Sequence, residues 1–183
     1  SNYETMGSVY AEDMQMTVES ITGINGNVIQ PRVRKSKEEQ QIRARDKGEV
    51  FTPSWICNKQ NNLVDNAWFG RQNVFNIETE KGWITNVEAI EFPSQDGKTW
   101  EGYVRDTRLE ITCGEAPYLI SRYDTITGDV IPVKDRIGLL DRKLRVLTEN
   151  TTTKKDWCEA AKVAYKHTYG YEWQGDSLLL ARE

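Results

Sequence analysis

Apolar positions along the chain change their spacing several times, and each change marks an element. Trp157, Ala160, Ala161, Ala164, Tyr165 and Thr168 recur at helical spacing, which predicts a helix over residues 154–169 that Gly170 stops. Ile137, Leu140, Leu144 and Leu147 fit a second helical stripe, although residues 137–141 also read as a short apolar strand ending at Asp141. Val50, Phe51, Trp55, Ile56 and Leu63 supply a third stripe. It begins at Thr52-Pro53, where threonine suits an N-cap and proline the first helical turn. Residues 83–92 alternate in part, a turn follows at 93–98, and 99–104 return, which predicts a β-hairpin. Residues 3–30 alternate weakly around Met14 to Val18, with a turn near Gly23, which predicts strand–turn–strand. The last piece, residues 171–180, leads towards another strand, with Gly175-Asp176 at a bend.

The most informative stretch is residues 109–119. Leu109-Glu110-Ile111 runs into a small-residue bend, Thr112-Cys113-Gly114-Glu115-Ala116, and then into Pro117 and an apolar Tyr118-Leu119-Ile120. That pattern predicts a strand turning into a helix. Small residues let the backbone come close to a ligand, and open N–H groups at such a turn suit a carboxylate or phosphate. The same pattern also serves strand–turn–helix units that bind nothing. Thr52-Pro53 carries the same pair of readings, a plain capped core helix or a helix N-terminus facing an anion.

Composition narrows the class. With 183 residues, 38% hydrophobic and 28% charged, the chain is long enough for one soluble globular domain with an appendage. The charge pattern divides it into an N-terminal arm, residues 1–47, and a domain, residues 48–183. Ser1-Asn2, with no initiator Met, reads as the scar of a cleaved tag. Residues 37–45 mix good helix formers of both charges, which predicts a solvated helix. The alternative is phosphate contact through Arg32, Arg34, Lys35, Arg43, Arg45 and Lys47. No apolar run is long enough for a membrane span and no secretory signal is visible. Cys57, Cys113 and Cys158 form no CxxC pair, which points to reduced thiols in the cytoplasm and to no metal site. A net charge of −4 argues against strong duplex-DNA binding by this chain alone. Trp68, Phe69, Phe75, Trp83 and Trp100 suit a small core better than base stacking.

Taken together, residues 45–180 resemble the S-adenosylmethionine-dependent N6-adenine DNA methyltransferases of restriction–modification systems, the γ-ordered group. Val50-Phe51-Thr52-Pro53-Ser54 resembles the family's Thr-Pro motif. Leu109-Glu110, Cys113 and Pro117-Tyr118-Leu119 are similar to its cofactor loop, and the order of the two motifs agrees. The loop departs from the common Gly-x-Gly by offering Cys113-Gly114-Glu115-Ala116. Leu140-Asp141 looks like the segment whose acid holds the cofactor ribose. Gly175-Asp176 is similar to the motif whose aspartate meets the cofactor adenine.

The resemblance implies an α/β fold, a partial Rossmann-like class I methyltransferase core with an inserted β-hairpin and a charged helical arm. It implies S-adenosylmethionine bound by Thr52, Pro53, Glu110, Cys113, Gly114, Glu115, Asp141 and Asp176. The N–H groups around Cys113 to Ala116 and Thr52 would take the ligand carboxylate, and Glu110 would face the ammonium. The family's catalytic Asn/Asp-Pro-Pro-aromatic tetrapeptide is missing, since no Pro-Pro occurs in the sequence. The chain alone is therefore expected to be inactive, with no catalytic residue of its own. Double-stranded DNA would be met through a longer protein, beside restriction-system subunits. Two other readings stay open: a non-catalytic interaction or specificity module on a degenerate methyltransferase fold, and an α/β domain binding a different nucleotide through the same turn.

Overall fold

The computed structural model describes residues 3–95 and 97–182. Ser1-Asn2 lies outside them, as does Asp96 in the predicted 93–98 turn. The described residues include a parallel pair of strands, β3 (Arg108–Ile111) and β4 (Thr168–Tyr171), in which Leu109 stands opposite Tyr169 and Ile111 opposite Tyr171. Parallel neighbours need a long crossover. Here it contains α5 (Leu139–Asn150) and α6 (Lys154–Lys166), which pack on each other. Alternation then sorts the two faces. Arg108 turns inward to Asp65 and Gly170 packs against Cys113 and Leu119, while Leu109, Ile111, Tyr169 and Tyr171 are exposed on the other face. The fold is mixed α/β.

Several elements differ from the sequence expectation. No helix follows Pro117. Ala116 adopts a left-handed backbone at φ 58°, and the carbonyls of Tyr118 and Leu119 accept the N–H groups of Leu139 and Leu140 at 2.8 and 2.9 Å. Those carbonyls cap α5, so the segment cannot continue as a helix of its own. Residues 137–147 resolve as helix from Leu139 onward, which puts Asp141 in the first turn of α5 and not at a strand end. The helix over 154–166 ends before Gly170, which lies inside β4, and Gly175-Asp176 opens a helix, α7 (Gly175–Arg182), where a strand was expected.

The β-hairpin exists one element earlier than its pattern suggested. It joins β1 (Asn76–Thr79) to β2 (Gly82–Thr85), with Ile77 opposite Ile84. Residues 100–105 form a short helix, α4, because the Thr99 hydroxyl caps it by accepting the Gly102 N–H. Tyr103 and Val104 of α4 then enter a core with Phe69, Val74, Phe75, Val146 and Leu147. The rings of Trp68, Phe69, Phe75, Phe92 and Tyr103 meet edge-on or tilted at centroid distances of 4.7–6.2 Å. Of the aromatics expected in a core, Trp68, Phe69, Phe75 and Trp100 are there, whereas Trp83 lies outside it and donates to the Asp135 carbonyl.

The long helix α3 (Ser54–Phe69) buries Cys57 and Phe69 but turns the middle of its apolar stripe outward. Leu63 is 69% and Val64 42% exposed, and Val50 just upstream is exposed as well. Asn58, Asn61, Asn62 and Asp65 are buried instead. The reason lies opposite them. Arg142 of α5 is buried and gives its guanidinium to Asp65 (2.6 Å), Asn58 (2.9 Å) and Asn62 (2.7 Å). Tyr103 donates to Asp65 at 2.9 Å, and Asn61 donates to the carbonyls of Tyr118 and Ile137. A buried cation must be paired and hydrogen-bonded, so the polar face of α3 goes inward. Lys143, next along α5, donates to the carbonyls of Asp106 and His167; burial and the nearby Arg108 charge bring its ammonium down to about 7.

The N-terminal arm carries no strand among residues 3–30, where strand–turn–strand was expected. It forms single 3-10 turns and a one-turn helix, α1 (Val18–Ile21), closed by a Thr17–Ser20 capping box. The predicted charged helix is present as α2 (Lys37–Lys47), ended by Gly48 at φ 66°. Its outer face is solvated, but Arg43 is buried against Asp176 and Glu49.

Candidate functional site

A cavity of about 400 Å³ opens at the carboxyl ends of β3 and β4. Ligands of open α/β sheets bind at such ends, and the volume falls in the range of small-molecule pockets. Three segments wall it: residues 47–52, the bend after β3, and residues 172–177 after β4.

The bend explains why its residues are small. Thr112, Gly114 and Ala116 all adopt positive φ, 55°, 56° and 58°. For threonine and alanine that conformation costs on the order of 1–3 kcal/mol each, strain of the kind kept at binding sites. Gly114 has a second constraint, because a Cβ there would stand 3.2 Å from the Phe51 ring.

Three N–H groups of this bend are already used. Cys113 donates to the Tyr171 carbonyl (2.9 Å), Ala116 to the Cys113 carbonyl (2.7 Å), and Gly114 to Glu172 Oε2 (2.7 Å). Glu172 follows β4 directly, and its Oε1 accepts the Gln174 N–H. It stands at the carboxyl end of the strand parallel to β3. Sequence reasoning missed it because β4 was read as the end of a helix. The signal available was the alternation Tyr169, Tyr171, Trp173.

Of the residues expected at the site, Thr52, Glu110, Cys113 and Gly114 line this cavity. Glu110 reaches it from β3 with Oε2 buried and unpartnered among the described residues. Burial raises its carboxyl to about 8; the N–H groups of Tyr118 and Leu119 pull it down and the Glu172 charge pushes it further up. Burial also carries the thiols of Cys57 and Cys113 up to about 12 and about 11, so neither is a thiolate near neutrality.

The other expected residues sit elsewhere. Pro53 occupies the N-cap position of α3, with Thr52 one residue outside it. The cap is supplied from a distance, since Asp124 Oδ2 accepts the Ser54 N–H at 2.8 Å. Thr52 uses its carbonyl, which accepts from the Thr125 hydroxyl at 3.0 Å. Glu115 is buried with its carboxylate on the Arg32 N–H (2.7 Å) and the Tyr123 hydroxyl. Asp141 accepts from the Ser121 N–H (2.8 Å) and hydroxyl (3.1 Å), and burial raises its carboxyl. Asp176 lines a second cavity, about 410 Å³, between the arm and α7. Its carboxylate accepts from Tyr3 (2.8 Å) and pairs with Lys35 (3.1 Å) and Arg43 (2.9 Å). Burial would raise Asp176, but Lys35, Tyr3 and Arg43 outweigh it and take the carboxyl down to about 2.

No helix among the described residues is long and apolar enough to cross a membrane. Comparison with family models, with curated proteins and with solved structures gave no match to this chain.

Proposed function

We propose that this chain is the cofactor-binding portion of an N6-adenine DNA methyltransferase of a restriction–modification system, and that S-adenosylmethionine occupies the cavity at the ends of β3 and β4. One observation carries the reading: Val50-Phe51-Thr52, the small-residue bend and an acid that follows the adjacent parallel strand wall a single cavity. Within it, Glu172 accepts from the ribose hydroxyls, Glu110 faces the positively charged end of the ligand, and the Cys113-Gly114 backbone gives the close approach. Methyl transfer belongs to a longer protein that carries the missing tetrapeptide, takes a flipped adenine from double-stranded DNA and works in the cytoplasm.

Titration calorimetry with S-adenosylmethionine tests this. Binding that weakens at least tenfold in Glu172→Ala and little in Asp141→Ala is expected. No heat at any protein concentration, or equal weakening in both variants, removes the assignment. A second reading, a non-catalytic module on a degenerate methyltransferase fold, draws on the bend N–H groups being filled by the chain itself. It requires that no cofactor binds.

A further inference from the structure

Residues 3–48 contribute no fully buried apolar side chain. Only Ser20 and Arg43 among them are buried, and neither is apolar. Hydrophobic burial is what ties a segment into global cooperativity, and here it is only partial: Tyr10, Ile21, Val28, Ile29 and Val33 are half-buried, while Met14, Met16, Val18 and Ile24 stay exposed.

The hydrogen bonds and ion pairs that hold the arm converge. The Arg32 N–H goes to Glu115, and Lys35 and Tyr3 go to Asp176. Arg43 lies between two carboxylates: Nη2 reaches both oxygens of Asp176 at 2.9 and 3.1 Å, and Nε is bonded to Glu49. Asp176 lines the cavity under the arm, and Glu49 lines the one at the strand ends. The cluster is incompletely satisfied. Arg43 Nη1 and Glu49 Oε1 are buried without a hydrogen-bond partner among the described residues. Opening would return both to water, which offsets part of what the ion pairs contribute. Gly48, at φ 66° between Arg43 and Glu49, is the natural pivot.

We infer that residues 3–47 form a strap that opens locally about Gly48 over the two cavities, with Arg43 as its latch on Asp176 and Glu49. Arg43 is thus a positioning residue for both carboxylates, whatever ligand the cavities take.

Hydrogen exchange on the whole chain without ligand tests the strap. Amides of α2 are expected to exchange on the order of a hundredfold faster than those of α3 and α5. Arg43→Gln should speed the strap by a further tenfold or more, because removing one partner of a buried pair is strongly destabilising, while α3 and α5 keep their wild-type rates. Asp176→Asn, which keeps the side-chain shape, should act in the same direction. Equal protection of α2 and α3 in the wild type, or variants that speed α3 and α5 as much as the strap, would overturn the inference. No ligand is present, so this outcome is separate from whether S-adenosylmethionine binds.

Discussion

Glu172 Oε2 accepts the Gly114 N–H at 2.7 Å, so the carboxylate that follows β4 closes the bend that ends β3. A charged acceptor on a backbone N–H contributes about 1.5–3 kcal/mol. Glu172→Ala should lose that amount in urea denaturation, and Glu172→Gln, which can still accept, about half. Unchanged midpoints in both variants would mean that the bend holds its shape without the carboxylate.

Glu110 gives a pH signature. Folding raises its carboxyl from the ordinary 4.5 to about 8. The native state therefore holds this proton more tightly than the unfolded chain. Its contribution to stability is full below the ordinary range and is lost as pH rises through about 8. Comparing denaturation at about pH 5 and about pH 9, the wild type should lose stability relative to Glu110→Gln at the higher pH. Parallel profiles for the two proteins count against the shift.

The α3 cap offers a cleaner contrast. Asp124 accepts the Ser54 N–H, and its carboxyl is lowered because the backbone N–H groups of Ser54, Thr127 and Ile126 outweigh its burial. Asp124→Ala should cost about 1 kcal/mol or somewhat more. Thr52→Val should cost less, since the Thr52 contact to the neighbouring loop is made by its carbonyl. The reverse ranking in thermal unfolding would restore Thr52 as the cap.

Asp65 is where the largest loss is expected. It is buried with Arg142 and Tyr103 on it. Asp65→Asn keeps the volume and leaves the Arg142 guanidinium without its counter-charge, at a cost of roughly 3–5 kcal/mol. A loss below about 1 kcal/mol in chemical denaturation would contradict the pairing.

The sequence made some of this legible and hid the rest for identifiable reasons. The helices α2, α5 and α6 follow from local propensity and period, and the strand β3 with its small-residue bend follows from composition. The helix expected after Pro117 fails because its carbonyls are claimed by Leu139 and Leu140, some 20 residues away. The cap of α3 comes from Asp124, 70 residues away. No local pattern carries either. Glu172 was hidden by one misplaced boundary, since ending α6 at Lys166 is what makes room for β4. Arg43 reads as one charge among many in a solvated block until α7 brings Asp176 to it.

Along α3 the usual guide to mutational tolerance runs backwards. Leu63 and Val64 face water, so lysine at either should be accepted and would raise solubility, whereas a saturation library that spared Leu63 and Val64 and randomised Asn58, Asn61 and Asn62 would destroy the protein. Asn61 shows why: its amide joins the carbonyls of Tyr118 and Ile137, the two chain segments that flank the start of α5. A leucine there would add grease to the interior and leave both carbonyls unanswered.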